Sequence, residues 1–395
     1  MKTTLDSGRL TIRLEGHIDS RNAQSVESEL FEAVSTHPNT EVSIDASKLE
    51  YISSAGLRIL MKLRKQLGRA LPVLDVSPEV YEVFDVTGFT ALMDVRKRLR
   101  EVSVEGCDLI GSGGFGRVYR TDPETIVKIY NPGITLDMVQ HERDTAQKAF
   151  LAGVPTAISY DVVRCGESYG VVYELINART VAQIMDADRS RVTEMGTKSA
   201  TLLKQLHTIE LESGALPNRK AEFLTWLPNV APLLDPAEEE TIRAFIEALP
   251  DRNTFLHGDF NSKNIMVQED GEFLLIDIGD AAIGHPVFDV VSLILSYVYL
   301  PKAQMPEEDR YRLLGFSLDD APTMWETMCG TYFGIDDPVA IQDKTQELMP
   351  YAQLMASYQG TRRCGYNMDY MSRVSIPGIR QRLLPLIRSA KPLDW

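Results

Sequence analysis

The sequence predicts an α/β domain over residues 1–98 and, after it, an α+β body of two lobes over residues 106–395, β-rich first and mostly helical afterwards. Three observations predict this. Apolar residues in the first hundred positions alternate between strand and helix periods. A glycine-rich hairpin whose return strand carries a lysine opens the second part. An Asp-x-x-x-x-Asn stretch, followed by a strand and Asp-x-Gly, lies far along its helical portion.

A chain of 395 residues suits two or three domains. With 44% apolar and 25% charged residues it can bury real cores, which excludes disorder as a description of the whole. Residues 10–14 are apolar at every second position (Leu10, Ile12, Leu14), the strand pattern. Gly16-His17-Ile18-Asp19 leads into a helical stretch over 22–34, with Val26, Leu30 and Val34 four apart. Residues 39–46 read as a second strand. Ser53 and Ser54 open a helix with Leu57, Leu60, Met61 and Leu67 on one face. Residues 71–76 read as a third strand, and Ser77-Pro78-Glu79 as an N-cap with proline at the first helical position. The order β-α-β-α-β-α is that of a small α/β layer.

Residues 96–105 contain the basic run Arg96-Lys97-Arg98-Leu99-Arg100 and no clear period, so 99–105 is read as a linker. The run is expected to be a solvated linker face rather than a nucleic-acid tract. A glycine hairpin, a further strand, a helix over 136–150 and strand-like runs over 158–164 and 169–175 make an N-lobe, 106–178. A mostly helical C-lobe, 179–395, is interrupted by a strand-loop-strand stretch at 254–278.

The first hundred residues carry 14 basic and 14 acidic residues, so the whole net charge of −15 falls on the rest. An acidic body repels phosphate backbones, and no nucleic-acid partner is expected. Cys107, Cys165, Cys329 and Cys364 are scattered without a CxxC pair, which argues against a zinc knuckle or a disulfide framework. The stretch 290–300 is too short to span a bilayer, and the first residues lack an apolar signal core. A cytoplasmic protein without membrane contact is expected.

Gly111-Ser112-Gly113-Gly114-Phe115-Gly116-Arg117-Val118 fits G-x-G-x-x-G-x-V. Glycine lets backbone N–H groups close over phosphate oxygens, which makes Gly111, Gly113, Gly114, Gly116 and Val118 candidate nucleotide-binding residues. A dinucleotide-binding turn or a merely flexible hairpin would also use such a loop. A dinucleotide turn should run into a helix, whereas this chain continues as strand, turns at Asp122-Pro123 and returns as Ile126-Val127-Lys128-Ile129-Tyr130. Lys128 is either exposed on that strand or reaches beneath the glycines to the α- and β-phosphates, with Glu142 holding it. Glu124, in the hairpin turn, is the alternative partner.

His257-Gly258-Asp259-Phe260-Asn261-Ser262-Lys263-Asn264 precedes the strand Phe273-Leu274-Leu275-Ile276 and then Asp277-Ile278-Gly279. Phosphoryl transfer needs positioning and charge neutralisation more than covalent chemistry. Asp259 suits the base that orients and deprotonates a hydroxyl, while Asn264 and Asp277 suit the oxygen ligands of Mg²⁺. As turn residues, Asp259 and Asn264 would instead cap local backbone. His257 reads as a brace for the loop and not as a metal ligand. Lys263 either touches the transferred phosphate or is solvated.

Residues 106–395 resemble the aminoglycoside phosphotransferase and choline kinase family, relatives of the protein kinases. Its His-Gly-Asp-x-x-x-x-Asn loop is matched by His257, Gly258, Asp259 and Asn264, and its Ile-Asp by Ile276 and Asp277. Gly284-His285-Pro286-Val287-Phe288-Asp289 resembles the family's Gly-Asp-Pro-x-x-Asp, with His285 in place of the first Asp. The resemblance implies that Asp289 braces the catalytic loop from a helix start. It also implies that the backbone of Tyr173-Glu174-Leu175-Ile176 bonds adenine, through Glu174 and Ile176. Leu206-His207 resembles a helical Leu-His pair of the family. The glycine loop is closer to that of protein kinases, yet no Ala-Pro-Glu segment follows Asp277, so a peptide platform of that kind is absent by sequence.

Residues 1–100 resemble the STAS domain of anti-sigma factor antagonists, on Ile44-Asp45-Ala46-Ser47 and Ser54-Ala55-Gly56-Leu57. The fold this implies is an α/β STAS domain followed by an α+β bilobal protein-kinase-like domain. In the STAS family a partner kinase phosphorylates the serine two before the glycine, here Ser54; Ser53 stands where the family often has Asp. The residues alone read Ser53 or Ser54 as an N-cap. A phosphate there suits the free N–H groups of a helix start and changes the charge a protein partner must cover.

The expectation is an ATP- and Mg²⁺-dependent phosphotransferase. Its acceptor is a hydroxyl-bearing small molecule or a protein serine, Ser54 included, and the STAS-like part offers a site for a protein partner. The alternative is a signalling adaptor whose kinase-like part binds nucleotide without turnover. A dinucleotide enzyme built on the glycine loop is the third reading, and the strand after that loop opposes it.

Overall fold

Leu10, Ile12 and Leu14 bury one face of a strand, as their spacing predicts, and the chain around them folds as a layered α/β unit. The computed structural model describes residues 1–395 other than Ser7, Asn39 and Asp394. Contacts divide the chain into Met1–Ser103 and Val104–Trp395, each with its own core.

The first unit runs β1 (Lys2–Asp6), β2 (Arg9–Ile18), α1 (Ala23–Thr36), β3 (Glu41–Ile52), α2 (Ser54–Leu67), β4 (Val73–Val76), α3 (Pro78–Val86), β5 (Val95–Lys97) and the two-residue β6 (Arg100–Glu101). Its sheet has the order β1-β2-β3-β4-β5, antiparallel between β1 and β2 and parallel from β2 onward. Leu57, Leu60 and Leu63 of α2 and Phe84 of α3 pack with Ile44, Ile52 and Val73 of the sheet. Asn39, the first residue of the predicted second strand, lies outside the described residues. That strand extends beyond residue 46 to Ile52. Its polar middle hid the continuation: Asp45 accepts hydrogen bonds from Arg13 Nε (2.6 Å) and from the Ser47 N–H (2.8 Å). β1 and β5 were not legible, because β1 is exposed throughout and β5 is three residues long. The basic run therefore begins in the sheet and not in a linker. Its Arg96 pairs with Asp94 at 3.1 Å and Arg98 with Asp75 at 3.3 Å.

The second unit opens with β7 (Asp108–Ser112), β8 (Gly116–Arg120), β9 (Thr125–Tyr130), α4 (Leu136–Leu151), β10 (Ser159–Cys165) and β11 (Ser168–Glu174). These strands form an antiparallel sheet ordered β10-β11-β9-β8-β7. Thr135 caps α4, its Oγ1 accepting from the Met138 N–H.

The helical lobe contains β12 (Ala178–Thr180), α5 (Val181–Ala187), α6 (Val192–Leu206), α7 (Arg219–Val230), α8 (Pro236–Glu247), β13 (Thr254–Leu256), β14 (Ile265–Gln268), β15 (Phe273–Leu275) and β16 (Ala282–Gly284). Beyond these come α9 (Val287–Ile294), α10 (Glu307–Leu314), α11 (Ala321–Phe333) and α12 (Pro338–Arg363), then short helical turns. β16 lies past the predicted 254–278 stretch and pairs with β13, so a loop between β13 and β14 is anchored on both sides. Phe223, Trp226, Phe255, Phe260 and Phe288 fill the core beneath it. Among the described residues no helix is long and apolar enough to cross a membrane.

Candidate functional site

The glycines of the β7–β8 hairpin are of two kinds. A Cβ on Gly116 would stand 2.3 Å from the Ile129 carbonyl oxygen, so the sheet itself demands glycine there. At Gly113 and Gly114 an added Cβ meets nothing within 4 Å, and neither has a positive φ. The fold does not require glycine at those two positions, and its presence there leaves the backbone open to close approach. At Gly111 a Cβ would make only ordinary contact with Val118, opposite it in the hairpin. The loop is pinned by Asn131, whose Nδ2 donates to the Gly114 carbonyl (2.8 Å) and whose N–H donates to that of Phe115 (2.9 Å).

Lys128 sits in β9 between Val118 of β8 and Val171 of β11. Its Nζ lies 2.7 Å from Glu142 Oε1 and 2.9 Å from Asp277 Oδ1. Burial alone would lower the ammonium's pKa, but Asp277 and Glu142 outweigh it and raise it. Glu124, the alternative partner, is exposed in the turn after β8. Gly279 makes the approach of α4 possible, since a Cβ there would lie 2.9 Å from Glu142 Cγ. Tyr130 flanks the lysine, its ring centroid 5.1 Å from Nζ, and burial raises its phenol.

The loop between β13 and β14 brings the other candidates together. Asn264 Nδ2 donates to both the carbonyl oxygen and Oδ2 of Asp259, each at 2.9 Å. With its amide nitrogen so committed, Asn264 Oδ1 has no donor among the described residues and remains available as an oxygen ligand. Asp277 has φ 61°, a left-handed conformation uncommon for a residue with a side chain, and is held at the end of β15. Gly258 has φ +86°, and a Cβ there would stand 2.1 Å from the Asp280 carbonyl oxygen.

His257 receives the Asp259 N–H on Nδ1 (3.2 Å), so its proton is on Nε2, which donates to the Ile276 carbonyl at 3.2 Å. It therefore ties the loop to the strand end before Asp277. Lys263 is not brought to Asp259. Its exposed side chain runs to α10, with Nζ 3.3 Å from the Arg312 carbonyl.

Asp259 opens to solvent, yet enough protein surrounds it that lost hydration raises its carboxyl above the usual carboxylate range. Asp277 and Asp280 add to that rise, and the Asn264 hydrogen bond opposes it.

Asp289, in the first turn of α9, lies wholly buried under the loop. It accepts from the backbone N–H groups of His257 (2.7 Å) and Gly258 (2.8 Å), with His207 Nε2 at 3.4 Å. Burial alone would raise its carboxyl, but these partners hold it below the usual range.

Sequence reasoning missed Arg219, which is buried and donates from Nη2 to the Asp280 carbonyl (2.6 Å) and from Nη1 to Glu222 (2.8 Å). It also missed Tyr297, whose hydroxyl accepts from the Ser262 N–H at 2.9 Å. At the strand end after β11, Glu174 Oε1 accepts from the Ile158 N–H (2.7 Å), and the Glu174 N–H donates to the Ile158 carbonyl. The Ile176 N–H has no partner among the described residues.

In the first unit, Ser53 is the N-cap of α2, its Oγ accepting from the Ala55 N–H at 3.2 Å. Ser54 is the first helical residue and is exposed. Gly56 packs against the strand before it, since a Cβ would lie 2.6 Å from Ile52 Cγ1.

Comparison with known proteins follows this division. Residues 1–96 match the model of the Mlab, STAS domain. Over 100 residues the chain is 38% identical to BtrV of Bordetella bronchiseptica, which carries an anti-sigma factor antagonist's name. The match spans 24% of this chain and 85% of that protein. The anti-sigma F factor antagonist of Paenibacillus polymyxa is 28% identical over 91 residues, 22% of this chain and 78% of its own length. Among solved structures, the gentamicin complex of APH(2")-IIa superposes with a TM-score of 0.46 at 18% identity, covering 71% of this chain and 93% of that one. The Plasmodium vivax ethanolamine kinase superposes with a TM-score of 0.45 at 15% identity, covering 72% and 84%. Residues 109–326, more than half of the sequence, match the model of the Phosphotransferase enzyme family. Behind an N-terminal STAS domain, the chain belongs to that family of phosphotransferases.

Proposed function

We propose that residues 104–395 transfer the γ-phosphoryl group of ATP, with Mg²⁺, to a hydroxyl, and that the STAS domain engages a protein partner. The observation that carries this reading is the convergence on Lys128: its Nζ holds Glu142 of α4 and Asp277 just beyond β15, two side chains far apart along the chain. In this reading Lys128 meets the α- and β-phosphates, and Glu142 keeps it extended. Gly113 and Gly114 let the hairpin backbone close over the phosphates, which accounts for glycines that folding does not need. Glu174 and Ile176 take the adenine edge through their backbone carbonyl and N–H. Asn264 Oδ1 and the Asp277 carboxylate are hard oxygen donors of the type Mg²⁺ prefers. When bound, that ion neutralises charge on the phosphates. Asp259, fixed by Asn264, orients the acceptor hydroxyl and takes its proton. The acceptor is a small hydroxyl-bearing molecule or a protein serine, and the exposed Ser54 is one candidate. Four free cysteines fit a reducing cytoplasm.

The test is to incubate the full chain with Mg-ATP and record intact mass and phosphosites, with Asp259→Asn as control. Phosphate on Ser54 that is absent from the variant supports self-modification. Turnover only on adding hydroxyl compounds points to a small-molecule acceptor. Nucleotide binding without any turnover supports the adaptor reading, and absence of nucleotide binding ends both.

The raised carboxyl of Asp259 has a consequence for pH. A base held above the usual range is still protonated where an ordinary carboxylate is charged, so activity fails earlier on the acid side. Asp280→Asn removes one negative charge that raises it. The acid limb of kcat/KM is expected to move to lower pH in that variant. An unmoved limb would show that Asp259 is not the titrating base.

A further inference from the structure

Trp395 stands at the head of two separate routes that both end on Asp289. The first runs through His285. The His285 ring is buried, accepts the Val287 N–H on Nδ1 (3.1 Å) and donates from Nε2 to the Trp395 carbonyl (3.0 Å). Val287 is the first residue of α9 and Asp289 lies in the same turn, so His285 both caps this helix and ties its start to Trp395. The two rings also meet edge to face, 5.2 Å between centroids. The second route runs through Tyr332. Its ring lies 6.1 Å from that of Trp395, and its hydroxyl is 2.6 Å from His207 Nδ1. His207 Nε2 in turn faces Asp289 Oδ2. Phe333 closes the socket, 5.0 Å from the indole. The indole N–H is buried with no hydrogen-bond partner among the described residues, so ring packing and the carbonyl bond hold this residue in place.

We propose that Trp395 and His285 form a clasp that sets the catalytic loop, as positioning residues acting through Asp289. Asp289 can hold the His257 and Gly258 N–H groups only while the start of α9 and His207 are both in register. Trp395 touches the supports of each. Docking of this residue against α11 and the start of α9 is thereby coupled to the geometry beside Asp259.

The test measures hydrogen exchange in the full chain, which needs no substrate; its failure is therefore distinct from failure of the phosphotransfer reading, on which the word catalytic rests. Trp395→Ala removes the ring from the socket. His285→Asp keeps an acceptor for the Val287 N–H but cannot donate to Trp395, so the helix cap survives while the clasp is lost. Both variants are expected to speed exchange at residues 257–259 by about tenfold, the worth of roughly one hydrogen bond. Exchange in the sheet of residues 1–103 is expected to stay unchanged. With an acceptor in hand, kcat should fall at constant KM for ATP. Unchanged exchange at 257–259 in both variants overturns the proposal. So does a uniform rise across residues 104–395, which would report lost stability and no directed coupling.

Discussion

Replacing Asp259 with Asn is expected to lower phosphoryl transfer by about 10²–10⁴-fold, the usual worth of a positioned general base. ATP affinity should change little, because Asp259 faces the acceptor side in the proposed mechanism and the nucleotide contacts lie on Lys128 and the hairpin. Asn is nearly isosteric and keeps an oxygen for the Asn264 amide, so the loop should retain its shape. Steady-state rates and nucleotide titration on the same preparation separate the two effects. A variant that retains most of its rate would remove Asp259 from the role of base. A variant that loses ATP binding in step with rate would make it a binding residue.

Asp289→Ala is expected to cost more stability than any surface change. It strips acceptors from two N–H groups, those of His257 and Gly258, and leaves them buried. At roughly 1–3 kcal/mol for each unsatisfied buried donor, the two together cost of order 2–6 kcal/mol. With an unfolding entropy of about 2.1 cal/mol/K per residue over the second unit, that corresponds to a fall of roughly 3–10 °C in its melting temperature. Asp289→Asn keeps one acceptor oxygen and should fall between. The sign of the pH effect follows from the lowered carboxyl. Its contribution is present above the ordinary carboxylate range and disappears as pH falls through the native value, so wild type and Asp289→Ala should converge in stability in strong acid. Thermal melts across pH check this. A melting point for the Ala variant within a degree or two of wild type at neutral pH would mean that the loop carries its own geometry.

The features legible in the sequence were those written in consecutive residues. The glycine hairpin with its return strand announced itself through turn chemistry and local period. Asp259 and Asn264 fall on one loop because five positions of a turn can bring them together, and the loop joins them by a hydrogen bond. The pairing of Lys128 with Glu142, fourteen positions apart, was legible because a strand and the helix after it pack as neighbours. Contacts such as Arg219 with Asp280, 61 positions apart, and His207 with Tyr332, 125 apart, leave no period in either segment. They are set by how the helices of the second unit stack. Lys263 shows the converse: it stands beside Asn264 in sequence, but the backbone turn sends its side chain toward α10. In the first unit, β1 was not legible because an exposed edge strand needs no apolar alternation to pair, and β5 because three residues are too few to show a period.

The double partnership of Lys128 bears on the order in which ligands compete. Its charge is already shared by Glu142 and Asp277, so phosphate oxygens arriving there do not find a bare cation. They must displace Asp277 or wait until something else claims its carboxylate. On the proposed reading, Asp277 would leave Lys128 free for a nucleotide once it held a divalent cation, and Lys128 would leave the Asp277 carboxylate free for the cation once it held a nucleotide. Each ligand then lowers the work of admitting the other, and the two affinities are linked with equal and reciprocal strength. On that reading the same three side chains would make an unaccompanied nucleotide, or an unaccompanied metal ion, the weaker visitor.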